Sequence, residues 1–330
     1  MFRETLFMWE HARKAALLAG DISAGRASQE KMTRTFQTSG LPNKPGYIPD
    51  QIQQAHLSPA IIRKIALTNT TEIEDRVTEA DFEELKAFVG NLFGVDLSKT
   101  TLLRVSSQFL RKWNTSAEDP EAKAVSCGTD EHLVLLPDGF QSLDLVAHEL
   151  GHAAEFTMRR QLGTDWGLVN RAIVSETTAH YAQFHQLLAH GSRNRRSGAL
   201  GAFLFPFFAA QFIFAASEQP RYDGEMLEHP RFAPFWDAHC YTRPQLEGLL
   251  GLFSGRSIGE IYMVPVETRF SIPLALKLLG RPDDMKRLIV ANIDRPLAEI
   301  LDSIDIDPAE LLDFTDLDSL FEGFISGSLH

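Results

Sequence analysis

Residues 131–160, "EHLVLLPDGFQSLDLVAHELGHAAEFTMRR", restrict this chain more than any other stretch. A short apolar run is stopped by Pro-Asp-Gly, which is how a strand ended by a turn reads. A helical segment follows, with His148 and His152 four residues apart. Residues i and i+4 share one face of a helix, so the two imidazoles point the same way and can hold one ion between them. Glu149 is rotated about 100° from His148, close enough to reach a water on that ion but badly placed as a ligand. Val146, Leu150 and Ala153 give the helix an apolar side, and Gly151 leaves little bulk between it and whatever packs there.

This is the H-E-x-x-H arrangement in which two histidines bind zinc and the acid serves as general base. A catalytic zinc usually has three protein ligands and one open position. No further histidine completes the set: position 155, three after His152, is a glutamate. Two acids therefore compete for the third place. Glu155 shares the face of both histidines. Glu176, in "VSETTAHYAQF" (174–184), lies 24 residues beyond His152, enough for a turn and an antiparallel return. One rigid helix rarely supplies three ligands at tetrahedral angles, which favours Glu176 over Glu155. His180, four residues after Glu176, is on the same helical face. It is placed to support a ligand from the second shell or to touch substrate.

His148-Glu149-Leu-Gly-His152 followed by Glu176-Thr-Thr-Ala-His180 resembles the gluzincin pattern of zinc metallopeptidases, shared by thermolysin-like and thimet-oligopeptidase-like enzymes. The resemblance spans residues 131–184. The Gly before the second His is most similar to the oligopeptidase branch, whereas thermolysin-like members place Asp where this chain has His180. The resemblance implies peptide-bond hydrolysis as endopeptidase or oligopeptidase. One Zn2+ per chain would sit on His148, His152 and Glu176, with Glu149 as general base and acid. It also implies an oxyanion donor well downstream, for which His229, His239, Tyr241 and Tyr262 are candidates. Tyr262, near Arg269 in "GRSIGEIYMVPVETRF" (255–270), is the one chosen. Strand 131–137 is expected at a sheet edge, where a peptide or protein substrate would bind as an added strand.

The expected fold is α+β and predominantly α-helical. A zincin-like core would hold a small sheet whose edge strand precedes the H-E-x-x-H helix, with helical flanks. Three segments are expected: a helical N-terminal region 1–95, the metal-binding core 96–190, and a helical C-terminal subdomain 191–330 completing the cleft. A length of 330 residues suits such a core.

The net charge of −12 argues against nucleic-acid and anionic-membrane partners. Much of it sits after position 280, where twelve acidic and four basic residues give −8. Two cysteines, Cys127 and Cys240, make no disulfide framework and read as reduced thiols; a Cys127 thiolate masking the metal is the less simple option. The N-terminus lacks the apolar core of a signal peptide and reads as an amphipathic helix, so a cytoplasmic protein, or one secreted without a classical signal, is expected. "GALGAFLFPFFAAQFIFAA" (198–216) is apolar enough for a membrane span, yet it reads better as a buried helix interrupted at Pro206. A zinc peptidase anchored through 198–216 is one alternative, and an inactive metal-binding protein of zincin fold is another. Glu149 argues against the latter, because a purely structural site needs no general base.

Overall fold

Five consecutive apolar residues, Leu133–Pro137, form strand β3, and all five are buried. In this computed structural model, which describes residues 2–41, 57–66, 76–114, 122–169, 171–218, 224–239, 242–253, 270–307 and 314–329, β3 is the middle strand of a three-stranded sheet. β1 (Thr101–Val105) runs parallel to it, with Thr101 opposite Leu133 and Val105 opposite Pro137. β2 (Lys123–Val125) runs antiparallel, with Lys123 opposite Leu135 and Val125 opposite Leu133. This corrects the expectation that 131–137 is an edge strand. An unbroken apolar run belongs to a strand covered on both faces, whereas a solvated edge would alternate. The strands with a free side, among the described residues, are β1 and β2.

The described residues group into two compact units. The first comprises 1–45, 73–183 and 282–296, the second 46–72, 184–281 and 297–330. These units are not the three consecutive segments expected from the sequence. Long-range packing draws the N-terminal helices into the unit that holds the sheet.

In the first unit, helices Phe2–Leu18 and Ile22–Thr38 form a hairpin turned at Gly20, whose φ of 76° suits glycine. Phe2 and Phe36 meet edge to face at 5.7 Å, closing its open end. Helix Glu79–Phe93 begins at Thr78 with a reciprocal capping box to Asp81 and stops at Gly94 in the left-handed region. Leu17, Leu110, Val105, Val125, Leu133 and Leu135 make a core cluster under the sheet. Glu10, 1% exposed, takes a bidentate ion pair from buried Arg160 at 2.6 and 2.7 Å. Arg159 donates to the carbonyls of Ile289 and Trp166, tying the end of helix Leu143–Gln161 to two other segments.

The second unit is helical throughout its described residues. Helix Gly201–Glu218 buries Phe203, Phe207, Phe208 and Phe212 completely. The rings of Phe203, Phe207 and Phe208 pack on Phe270, Phe321, Phe232 and Phe235 at 5.3–5.6 Å. Each such phenylalanine contributes about 1.5–3 kcal/mol of burial. Every described side chain from 203 to 216 is thus buried, and the helix runs on through Pro206, where an interruption was expected. Among the described residues no helix is long and apolar enough to cross a membrane.

Candidate metal centre

Helix Leu143–Gln161 carries the H-E-x-x-H residues, and helix Ala172–His190 returns alongside it. Their approach depends on Gly151: a Cβ there would stand 2.8 Å from Ala179 Cα and 3.1 Å from the Thr178 carbonyl. This contact sets Glu176 opposite the two histidines. His148 Nε2 lies 3.6 Å from Glu176 Oε2, and His152 Nε2 lies 3.9 Å from Glu176 Oε1. One ligand atom from each of the three falls within 4.8 Å of the others, so together they can hold a metal ion. The side chains are 12%, 14% and 29% exposed, buried enough to be fixed yet open on one side.

The far edge of His152 is held as well. Ser175 Oγ donates to Glu155 Oε2 at 2.5 Å, so the same oxygen must accept from His152 Nδ1 at 3.1 Å. Nδ1 therefore carries a hydrogen, and Nε2 is the nitrogen presented to Glu176. Glu155, 1% exposed, sits 4.0 Å from Nδ1. The structure puts it behind the ring rather than with the three ligand atoms.

His180 lies against His148, ring centroids 4.8 Å apart at 71°. Its Nδ1 is 3.0 Å from Gln183 Oε1, whose amide nitrogen donates to Asp144 Oδ2 at 2.7 Å. Ser142 donates to the other oxygen of Asp144. His148 Nδ1 is buried and has no hydrogen-bond partner among the described residues. Ser175, Gln183 and Asp144 went unnoticed in the sequence. Asp144 had a signal, one helical turn before His148; Ser175 had only its place beside Glu176.

Glu149 turns to the sheet and accepts a hydrogen bond from the backbone N–H of Ala124 in β2. Burial raises its pKa, against the pull of His152, His148 and the Ala124 N–H. Burial would also raise Glu176, but the hydrogen bond from His148 and the charges of His152, His148 and His180 hold it well below the usual carboxylate range. Burial would lower His152; Glu155, close behind its Nδ1 through Ser175, and the charges of Glu176 and Glu149 reverse this and raise it to about 9. The cluster thus retains a proton that a cation must displace.

Tyr241 and Tyr262 lie outside the described residues. His229 belongs to the second unit, where its Nε2 is 3.0 Å from Glu218 and its Nδ1 accepts from the Arg231 N–H. His239 caps helix Ala233–Ala238 in the left-handed conformation, φ 50°. A cavity of about 460 Å³ in the first unit borders Glu155, Ser175 and Glu176, with Arg13, Arg159 and Arg160 also on its wall.

No protein-family model, no curated protein and no solved structure matches the chain.

Proposed function

We propose that the chain is a zinc-dependent hydrolase of peptide bonds with a zincin-like core of the gluzincin kind. The observation that carries this reading is the meeting of Glu176, from a second helix, with the two histidines of H-E-x-x-H. Ligand atoms around one tetrahedral ion with bonds of ~2.1 Å stand about 3.4 Å apart. The separations of 3.6 and 3.9 Å are close to that value, and two imidazoles with one carboxylate are a donor set zinc accepts. The hydrogen bond from His152 Nδ1 to Ser175, backed by Glu155, is the outer support such ligands need.

When bound, zinc supplies Lewis acidity, activating a water for attack and polarising the scissile carbonyl. Glu149 does the proton transfer: its raised pKa suits a group that takes a proton from that water and gives it to the leaving amine. The free side of β2 receives the substrate as an extended strand. This replaces β3, which has partners on both sides. A substrate strand on β2 takes the Ala124 N–H that Glu149 holds, so docking releases the base for its task.

The test is zinc content and turnover of a fluorogenic peptide library by wild type, Glu149→Gln and Glu176→Ala. The reading requires about one zinc per chain that depends on Glu176: it is retained in Glu149→Gln and lost in Glu176→Ala, and turnover is lost in both. A wild type that binds no zinc after reconstitution refutes the metal site. One that binds zinc but cleaves nothing in the library leaves a metal-binding protein and refutes peptide hydrolysis.

A further inference from the structure

A second cluster of metal-ligating side chains lies elsewhere in the first unit. His11 comes from helix Phe2–Leu18, and Cys127 and Glu131 from the turn between β2 and β3. One ligand atom from each falls within 4.8 Å of the others. His11 Nδ1 is the shared neighbour, 3.3 Å from Cys127 Sγ and 3.8 Å from Glu131 Oε2. Sulfur and nitrogen bound to one tetrahedral zinc at ~2.3 and ~2.1 Å stand about 3.6 Å apart, and nitrogen and oxygen about 3.4 Å. Both observed separations fall within a few tenths of an ångström of these values. We infer that His11, Cys127 and Glu131 form a second metal site, of the borderline-soft class that takes zinc, fastening the first helix to the β2–β3 turn.

The turn is held in place without any ion, which is what makes three scattered side chains a site. The Glu131 N–H donates to the Cys127 carbonyl at 3.1 Å, and Lys14 Nζ donates to the Glu131 carbonyl at 2.7 Å. The Cys127 N–H donates to His132 Nδ1 at 3.0 Å, and Arg160 donates to the Gly128 carbonyl. Ser126, next to Cys127, donates to Glu10 at 2.8 Å. Gly128 has φ +54°, and a Cβ there would press on the His11 ring at 3.3 Å. That glycine therefore provides both the turn and the space for the imidazole.

Cys127 is fully buried, whereas His11 and Glu131 are 49% and 45% exposed. The thiolate is thus the inner ligand, and the outer side is open for a water to complete four-coordination. Binding breaks the S–H bond as the sulfur–metal bond forms, and the proton leaves to solvent. His11 uses the lone pair of Nδ1 and keeps its hydrogen on Nε2, and Glu131 contributes Oε2. The charged neighbours of Cys127 besides Glu131 are Lys14, Arg13 and Glu10. Thiolate and carboxylate together offset the two charges of a divalent ion.

The site is independent of the proposed peptidase centre, and cobalt separates the two. A cobalt–thiolate bond gives a strong near-ultraviolet charge-transfer band, and His148, His152 and Glu176 contain no sulfur. The full chain would be titrated with Co2+ in a Cys240→Ser background, so that Cys127 is the sole thiol. Wild-type ligands and the His148→Ala/His152→Ala pair should both show the band, saturating at about one cobalt per chain in the pair and at about one to two in the wild type, according to which centre fills first. Cys127→Ser should abolish it. His11→Ala, a change at a half-exposed position, should weaken it about 10- to 100-fold, at least the cost of losing an outer partner. Absence of the band in a folded Cys240→Ser chain overturns the proposal. So does a band whose affinity is unchanged by His11→Ala and Glu131→Gln.

Discussion

Gly151→Ala should damage the metal centre although it adds only one methyl group and replaces the poorer helix former. In an exposed helix this exchange stabilises by about 1 kcal/mol. At 151 the new Cβ would lie 2.8 Å from Ala179 Cα, 3.0 Å from Ala182 Cβ and 3.1 Å from the Thr178 carbonyl. Carbon atoms rest at about 3.5–4.0 Å, so two helices must part by roughly 0.5–1 Å. Two of the three obstructing atoms are backbone and the third is an alanine Cβ, which leaves no flexible side chain to yield. Overpacking of this kind costs about 1–3 kcal/mol. Set against the gain in propensity, the variant without metal should be destabilised by roughly 0–2 kcal/mol. The larger effect is on the ligands. Ala179 sits between Glu176 and His180, so a shift there carries Glu176 away from imidazoles it already stands 3.6 and 3.9 Å from. Zinc affinity, measured by competition with a chromophoric chelator, should fall about 10- to 100-fold. Gly198→Ala is the control, since among the described residues nothing beyond its own helix backbone and chain neighbours lies within 4 Å of a Cβ there; zinc affinity should be unchanged. If Gly151→Ala binds zinc as tightly as wild type and gains the ~1 kcal/mol of propensity in urea unfolding, the close approach that positions Glu176 is refuted.

Ser175→Ala removes the hydroxyl linking His152 Nδ1 to Glu155 and should weaken zinc binding about 10- to 100-fold in the same competition assay; undiminished affinity would show that the ring is held by other means. Glu10→Ala leaves buried Arg160 without its bidentate carboxylate and should cost about 3–5 kcal/mol in urea unfolding. A loss below about 1 kcal/mol, typical of an exposed pair, would contradict the buried geometry. His185, in the second unit, is lowered by burial to about 4. Its native pKa is below the unfolded value of about 6.5, so the unfolded chain binds the extra proton first. Its contribution is complete above pH ~6.5 and is lost as pH falls towards 4, by up to about 1.4 kcal/mol per pH unit. Unfolding free energies of wild type and His185→Leu at about pH 7 and pH 5 should show a smaller drop in the variant; equal drops would place the titration elsewhere.

The grouping of His148, His152 and Glu176 was legible because it is local. His148 and His152 are one helical turn apart on one chain segment, and Glu176 follows at the distance an antiparallel return requires. The capping box at Thr78 and the stop at Gly94 are local in the same sense, each decided within four residues. The apolar run at 198–216 was legible in kind but not in destination. Hydropathy is the same for a membrane span and a core helix, and only the rings of Phe232, Phe235, Phe270 and Phe321 decide between them.

Support for the ligands was not legible, and the reason is the same principle turned round. Ser175 orients His152 from 23 positions away, and Ala124 in a three-residue strand holds Glu149 from 25. A strand of Lys-Ala-Val has no periodicity to announce it, yet it pairs with β3 and thereby takes the edge position from 131–137. His11 meets Cys127 across 116 positions. Neither residue has any motif around it, because a helix and a turn that are each fixed by their own hydrogen bonds need no shared sequence pattern to bring two side chains together. A metal centre whose ligands lie on one helix and its return can be found by spacing. One assembled from separately anchored elements, as proposed for His11, Cys127 and Glu131, shows only when those anchors, here Lys14, Arg160 and Ser126, are in view.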